Sequence, residues 1–325
     1  MAVVAVTDHV FPDLDQEREI LGAEGHELRF GTNATTPEEV ASAVAGADAV
    51  LNCYARMPGD VIRGLTGCRI IARYGIGLDT VDMDVANEMG IVVTNVPDYC
   101  IDEVSDHALS LALSLARGVA LLDRKVRAGS WTPTDARPLH RIRGRTFGLV
   151  GFGRIARALA VKAAALGYEV VTTDPYVPDD AIREAGAEPL TFEALLGRAD
   201  VVSLHVPLTD ESHHLIDAQA LAAMKSGAIL VNTSRGPLVD ADALRASLEA
   251  GHLGGAALDV LEREPPSADD PLLHRDDVVI TPHAGFYSEE SLRELQRKAV
   301  EQVVEVLAGR RPPYAVNADA VGLAS

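Results

Sequence analysis

The chain is poor in positive charge. Its 325 residues hold 29 Lys and Arg against 48 Asp and Glu, a formal net charge of -19. A surface of that sign repels nucleic acid and anionic lipid as a whole. It also repels small anionic substrates at long range, so a site for a carboxylate needs its own local positive field. Cysteine is scarce as well. Cys53, Cys68 and Cys100 form an odd, scattered set with no C-x-x-C spacing, which argues against disulfides and structural zinc. His213 and His214 are adjacent and are expected to diverge, so no metal site is expected. No apolar run approaches the ~20 residues that span a bilayer. Residues 1–6 lack the length and the basic start of a signal peptide and read as a first strand. The expectation is a soluble cytoplasmic protein with neither nucleic acid nor membrane as partner.

What the chain does have is core-forming material, with 47% of residues apolar, and a length that suggests about two domains. Short apolar strands alternate with helical patterns. In the first half, strands are expected at 3–6, 28–30, 49–51, 70–72 and 91–93, with amphipathic stretches near 13–24, 37–45, 58–65 and 81–89. This rhythm predicts a parallel, doubly wound α/β sheet. It breaks at 95–99, where a long helix is expected over 101–128, with Val104, Ala108, Leu111, Leu115, Val119 and Leu122 in its apolar stripe. A Gly-, Pro- and Arg-rich loop, 129–145, reads as a boundary or interface segment. A second series then predicts strands at 147–150, 169–173, 201–204, 228–231, 255–258 and 278–280, and a last helix near 288–308.

The stretch TFGLVGFGRIARALA opens that second series. Gly151-x-Gly153-x-x-Ala156 lies after an apolar strand and before an amphipathic helix. The first glycine permits a tight turn, the second lets a pyrophosphate approach the backbone, and the small third residue lets helix and strand pack closely. A glycine turn in an ordinary βα unit is the competing reading of this motif alone. The next strand decides between them, because it ends at Asp174, 23 positions after Gly151 (174 − 151). An acid about 20 residues on accepts the ribose hydroxyls. The same carboxylate repels the extra phosphate of NADP, so the expected cofactor is NAD.

Three further strands run into charged or titratable residues. Arg235 follows AILVNTS, Glu264 lies in ALDVLEREPP, and His283 follows VVITP. Ligands of open α/β sheets bind outside the carboxyl ends of strands. These residue types suit the interconversion of a ketone and an alcohol. A protonated imidazole can give its proton to a carbonyl oxygen. A carboxylate on the other ring nitrogen holds the tautomer and stabilises imidazolium. A planar guanidinium binds a carboxylate and a carbonyl oxygen together, and Arg235 would be the local positive field that an acidic protein needs.

The motifs GLVGFGRIA, HVPLTDESHHLI, MKSGAILVNTSRGPLVD, ALDVLEREP and ITPHAG together resemble the NAD-dependent D-isomer-specific 2-hydroxyacid dehydrogenases over essentially the whole chain. NVPDYCIDEVSDHALSLALSLAR and TPHAGFYSEES most resemble the bacterial branch grouped with C-terminal binding proteins. The resemblance implies a Rossmann domain of 102–287 inserted into a flavodoxin-like substrate domain of 1–101 plus 288–325, with a cleft that closes on substrate. It implies Arg235, Glu264 and His283 as the catalytic set. Cofactor contacts are implied at His107, Gly151, Gly153, Arg154, Ile155, Asp174, His205, Val206, Pro207, Ser212, Thr233, Ser234, Asp259, Ala284 and Gly285, with Asp259 at the nicotinamide carboxamide. It implies that the amides of Tyr74, Gly75, Ile76 and Gly77 hold the substrate carboxylate, as exposed backbone N–H groups can. Tyr54, in NCYAR, is either a pocket wall or merely packed.

Asn52 aligns where phosphoglycerate dehydrogenases tend to carry an arginine, and their extra regulatory domain is expected to be absent. This makes phosphoglycerate a weaker expectation than glyoxylate, hydroxypyruvate or a larger 2-oxo acid, although Arg56 leaves room for a second anionic group. Family likeness also implies a homodimer built on the long helix and the 129–145 loop, with Trp131 either an interface anchor or a core residue. The rival function is an NAD(H)-sensing, corepressor-like binding protein with weak dehydrogenase activity.

Overall fold

Runs rich in Val, Ile, Leu and Ala, buried on both faces, favour parallel strands covered by helices. In the computed structural model of the protein, which describes residues 1–323, they form two sheets whose ladders are all parallel. The chain divides into two units: Met1–Cys100 with the chain from Ser288 onward, and Ile101–Tyr287.

The first unit holds β1 (Val3–Val6), β2 (Glu27–Arg29), β3 (Ala49–Asn52), β4 (Ile70–Arg73) and β5 (Val92–Thr94), in the order β2-β1-β3-β4-β5. This is the flavodoxin-like doubly wound order. Every residue of β3 and β4 is buried, and each buried Val, Leu or Ile contributes about 1.5–3 kcal/mol. The helix Glu289–Leu307 packs on β3, β4 and β5. Ser288 caps it in a reciprocal box with Ser291. Beyond it the chain returns to cover the edge of β5: Val316 N donates to Val93 O, and Val93 N donates to Asn317 Oδ1 at 2.8 Å. An edge strand with unpaired amides is thereby closed.

The second unit holds β6 (Thr146–Val150), β7 (Glu169–Thr173), β8 (Glu188–Pro189), β9 (Val201–Leu204), β10 (Ile229–Asn232), β11 (Gly255–Leu258) and β12 (Val278–Ile280). Their order, β12-β11-β10-β9-β6-β7-β8, is the Rossmann order with β12 added at one edge. The order reverses between β6 and β9, which places a crevice at the carboxyl ends of those strands.

Each expected strand appears within a residue of its sequence position; the two-residue β8 is an addition. The helix expected over 101–128 is two helices, Ile101–Ala116 and Val119–Arg127. The break is at Gly118, whose φ of +62° lies in the left-handed region, and a Cβ there would sit 2.6 Å from that of Ala136. Val104, Ala108, Leu111 and Ala112 of the first helix are buried, whereas no residue of the second is buried, and Val119 and Val126 are exposed. Apolar spacing continues across a backbone turn that periodicity does not register.

Candidate functional site

At the carboxyl end of β6 the chain turns through Gly151 at φ +92°. A Cβ at Gly151 would lie 2.7 Å from His205 O and 2.9 Å from Val206 Cγ1, so only glycine lets the exits of β6 and β9 pass this closely. Gly153 then caps the helix Arg154–Ala165. A Cβ added to Gly153 would meet nothing within 4 Å. That open space before the first amides of a helix suits a diphosphate. Arg154 is exposed, Ile155 half-buried, and Ala156 buried against the sheet.

Asp174 follows β7. Its Oδ2 accepts from Phe152 N at 2.7 Å and its Oδ1 from Tyr176 N at 2.8 Å. A carboxylate has about four lone-pair positions, so two remain for ribose hydroxyls. After β9, His205 Nε2 pairs with Ser203 Oγ at 2.9 Å, and burial pushes this imidazole down to about 4. Ser212 is used locally, donating to Pro207 O at 2.7 Å and closing the 207–212 loop. After β10, Ser234 Oγ donates to Leu204 O at 2.7 Å. The neighbouring Thr233 Oγ1 is buried without a hydrogen-bond partner, a hydroxyl still available to a ligand.

The three charged residues expected at strand exits follow β10, β11 and β12, which are neighbours in the sheet. His283 Nδ1 lies 2.8 Å from Glu264 Oε2, and Glu264 Oε1 accepts from Leu261 N at 3.0 Å. The carboxylate is an acceptor, so Nδ1 carries a proton, and Nε2 is the ring nitrogen whose protonation distinguishes imidazole from imidazolium. His283 has φ +53°, a left-handed conformation that costs a non-glycine residue about 1–2 kcal/mol. Arg235 is half-buried; its Nη1 donates to Ser234 O at 2.7 Å and its carbonyl accepts from Asn232 Nδ2 at 2.8 Å. A Cβ at Gly236 would lie 2.0 Å from the carbonyl of Leu261. The turn carrying Arg235 therefore lies directly on the loop carrying Glu264.

Asp259 holds the His283 turn in place. Its carbonyl accepts from His283 N at 2.8 Å; its side chain accepts from Thr281 Oγ1 at 2.5 Å and from the amides of Ala284 and Gly285 at 2.8 Å each. His107 Nε2 lies 2.8 Å from Thr281 Oγ1 and 3.3 Å from Asp259 Oδ1. Burial by itself raises the Asp259 carboxyl, but these hydrogen bonds outweigh it and hold the group below the usual carboxylate range. Its visible work is to shape the strained turn. Gly285 is required there, since a Cβ would sit 2.9 Å from Asp259 Oδ2.

In the first unit the candidate anion loop follows β4. Two of its four amides are already used: Tyr74 N donates to Asn52 O at 2.7 Å and Gly75 N to Arg73 O at 3.0 Å. The other two are arranged differently. Gly75 O accepts from Val96 N at 2.9 Å, and Ile76 O accepts from Asn95 Nδ2 at 2.7 Å. In a trans peptide the N–H points opposite to its C=O. Both carbonyls face the 95–96 segment, so the amides of Ile76 and Gly77 face away from it together. The cradle implied for four amides is thus narrowed to two. The Tyr74 ring is buried, and Tyr54 is 41% exposed.

Three residues lacking an obvious sequence signal matter here. Arg73 is buried at the end of a wholly buried strand, with Nη1 donating to Tyr74 O at 2.9 Å and Nε unpartnered. Its guanidinium lies so close to Gly75 that any Cβ would collide with it. Thr281 links His107 to Asp259. Asp8 gathers the amides of Cys53, Tyr54 and Ala55. A charged residue closing an apolar run, as in IIAR, was the one readable sign among them.

His213 and His214 do not diverge as expected. Their rings stack at 4.0 Å with a 30° tilt, and His214 Nε2 lies 2.8 Å from Glu262 Oε1. His214 has φ +52°, which swings its ring back over its neighbour. One ligand atom of each of His213, His214 and Glu262 lies within 4.8 Å of the others, a grouping that could hold a metal ion and that the expectation of divergent rings did not foresee. Trp131 is 87% exposed, so it is not a core residue of this chain.

A sequence model of the D-isomer specific 2-hydroxyacid dehydrogenase NAD-binding domain matches residues 109–285. The chain is 40% identical over 266 residues to a glyoxylate reductase of Korarchaeum cryptofilum, covering 81% of this chain and 80% of that one. It is 40% identical over 279 residues to a D-3-phosphoglycerate dehydrogenase of Mycobacterium leprae, covering 86% of this chain but 52% of that one. The chain therefore spans about half the length of the latter relative. Among solved structures, the D-lactate dehydrogenase of Aquifex aeolicus, complexed with NAD and lactic acid, superimposes with a TM-score of 0.84 at 26% identity, covering 94% of this chain and 96% of that one. Among the described residues, no helix is long and apolar enough to cross a membrane.

Proposed function

The chain belongs to the D-isomer specific 2-hydroxyacid dehydrogenases, and from that membership we propose that it interconverts a small 2-oxo acid and its D-2-hydroxy acid with NAD(H). Bound nicotinamide supplies or accepts the hydride. The chain's own residues do the rest. Arg235 binds the substrate carboxylate and carbonyl oxygen, His283 Nε2 delivers the proton to that oxygen or takes it back, and Glu264 stabilises the imidazolium. The free amides of Ile76 and Gly77 receive the substrate carboxylate, with Arg73 adding positive field beside them. The observation that carries this reading is the 2.8 Å contact between His283 and Glu264, one strand exit away from Arg235.

The glycine loop with its open face at Gly153, the two vacant lone-pair positions of Asp174 and the orphan hydroxyl of Thr233 suit NAD. Glyoxylate, hydroxypyruvate and larger 2-oxo acids are the substrates to try first. Asn52 offers phosphoglycerate nothing, because its amide is consumed by Thr7, Ala55 and Thr80. Membership of the branch near C-terminal binding proteins, a cytoplasmic location and a homodimer belong to the same reading. The homodimer is supported by the exposed Trp131 and by the helix Val119–Arg127, which has no buried residue.

The test is NADH absorbance with a panel of 2-oxo acids, repeated with NADPH. Turnover is expected with at least one acid, at a kcat within the usual range of 1–10³ per second. Values below about 0.01 per second on every acid would move the protein to the corepressor-like binding role.

A further inference from the structure

Glu17 is the most deeply placed carboxylate of the first unit and no step above uses it. It lies on the helix Asp15–Ala23 and is 0% exposed. Its Oε1 accepts from Tyr74 OH at 2.8 Å, and Gln296 Nε2 approaches both of its oxygens, at 3.1 and 3.0 Å. The same Gln296 amide donates to Asp13 O at 3.0 Å. Burial pushes the Glu17 carboxyl up, against the hydrogen bonds from Tyr74 and Gln296. A packed aliphatic residue would fill the site without that desolvation, so retaining a carboxylate there asks for a reason in what it holds.

What it holds is Tyr74. The ring is clamped from three directions: Glu17 takes its hydroxyl, Phe11 meets its ring edge-on at 4.8 Å, and its backbone N–H is tied to β3. Tyr74 is the residue from which the Gly75–Gly77 turn departs. Past it, the Gly75 amide donates back to Arg73 O, and the carbonyls of Gly75 and Ile76 accept from Val96 N and Asn95 Nδ2. A shift of the Tyr74 ring therefore moves the peptide planes whose amides face outward.

We propose that Glu17, through the Tyr74 hydroxyl, is a positioning residue that sets the Ile76 and Gly77 amides for the substrate carboxylate. Glu17 touches neither substrate nor cofactor. The proposal rests on the reading of that turn as the carboxylate cradle.

The experiment compares Glu17→Gln, Tyr74→Phe, the double variant and Ile76→Pro, each as the full chain, with the 2-oxo acid that the wild-type protein reduces best. Tyr74→Phe removes only the hydroxyl and decides the matter if Glu17→Gln does not fold. Loss of one buried hydrogen bond is worth about 5- to 10-fold. The expected result is a KM for the oxo acid raised by about that factor in both single variants. In the same variants kcat should stay within about twofold and NADH affinity should not change. The double variant is expected to be no worse than the worse single one, because both break one link. A lowered thermal midpoint with KM unchanged in Tyr74→Phe would make Glu17 purely structural and overturn the proposal, as would additive KM increases. Ile76→Pro separates the two layers. If it leaves KM unchanged, the cradle reading fails; if it alone raises KM, the cradle stands and the role of Glu17 falls.

Discussion

Two aspartates that follow parallel strands, Asp8 after β1 and Asp174 after β7, show how one architecture yields a sealed edge in one unit and an open one in the other. Each accepts from a backbone amide at a neighbouring strand exit, Asp8 from three after β3 and Asp174 from one after β6. Asp8 accepts from Thr7 Oγ1 and from the amides of Cys53, Tyr54 and Ala55, at 2.7–3.1 Å. That fills all four lone-pair positions, so Asp8 is a structural rivet. Asp174 accepts from two amides only and keeps half its capacity. The same contrast holds along both edges. In the first unit the exits satisfy one another, with Asn52 and Tyr74 consumed and two outward amides left over. In the second unit the exits of β10, β11 and β12 carry an arginine, a glutamate and a histidine in a strained turn. A parallel sheet offers the same set of strand ends in each unit, and what the loops leave unsatisfied decides where chemistry can occur.

The sharpest way to break this contrast is His283→Ala. It removes the proposed proton carrier while leaving the glycine loop untouched, so kcat should fall by about 10²–10⁴-fold with NADH affinity, measured by fluorescence titration, nearly unchanged. Normal turnover in that variant would mean the second edge is as inert as the first. Acid tests the same edge by stability. The His205 imidazole sits near 4 rather than its usual 6.5 because burial disfavours its charged form. Below about pH 6.5 the unfolded chain takes up a proton that the folded chain refuses, so this contribution to stability is intact above that pH and is lost progressively down to about 4. At about 1.4 kcal/mol per unit, the loss is roughly 3 kcal/mol. Urea midpoints measured from pH 7 to 4.5 should fall more steeply for the wild type than for His205→Gln; parallel slopes would refute the assignment.

Much of this was legible in the sequence, for physical reasons that also mark the limit. Val-, Ile- and Ala-rich runs of four residues can hardly be anything but buried parallel strands when helices separate them, and the glycine spacing before Arg154 follows from the turn it must make. Charged residues at strand exits are conspicuous because a buried strand has no use for them. What sequence does not carry is the pairing of backbone groups across loops. The cradle of residues 74–77 reads as four equivalent amides until Asn52 and Arg73 are seen to take two of them. Helical periodicity ran through Gly118 because a left-handed residue leaves apolar spacing intact. The His213–His214 stack depends on a positive φ at His214, which no residue type other than glycine announces, and the three-way fit of Glu17, Tyr74 and Gln296 joins positions far apart in the chain.

A smaller effect sharpens the comparison further. Arg235→Lys keeps the positive charge and removes the planar fork, so the cost measures directional bonding rather than field. Losing one charge-assisted hydrogen bond is worth about 1.5–3 kcal/mol, and kcat/KM for the oxo acid should fall by roughly 10- to 100-fold. Efficiency like that of the wild type would show that Arg235 acts only as a point charge, which a lysine can supply.

The smallest expected effect returns to the two aspartates. Asp174→Asn retains one acceptor oxygen but removes the charge proposed to repel an extra ribose phosphate. The ratio of kcat/KM for NADH to that for NADPH should drop by about tenfold, the worth of one modest polar interaction, with little change in thermal midpoint. Asp8→Asn should do the reverse. Its amide nitrogen would face at least one of the four donors that Asp8 now satisfies, lowering the thermal midpoint while leaving cofactor preference alone. If both variants changed stability and neither changed the NADH to NADPH ratio, Asp174 would be a second rivet and the open lone pairs at the end of β7 would have no cofactor to meet.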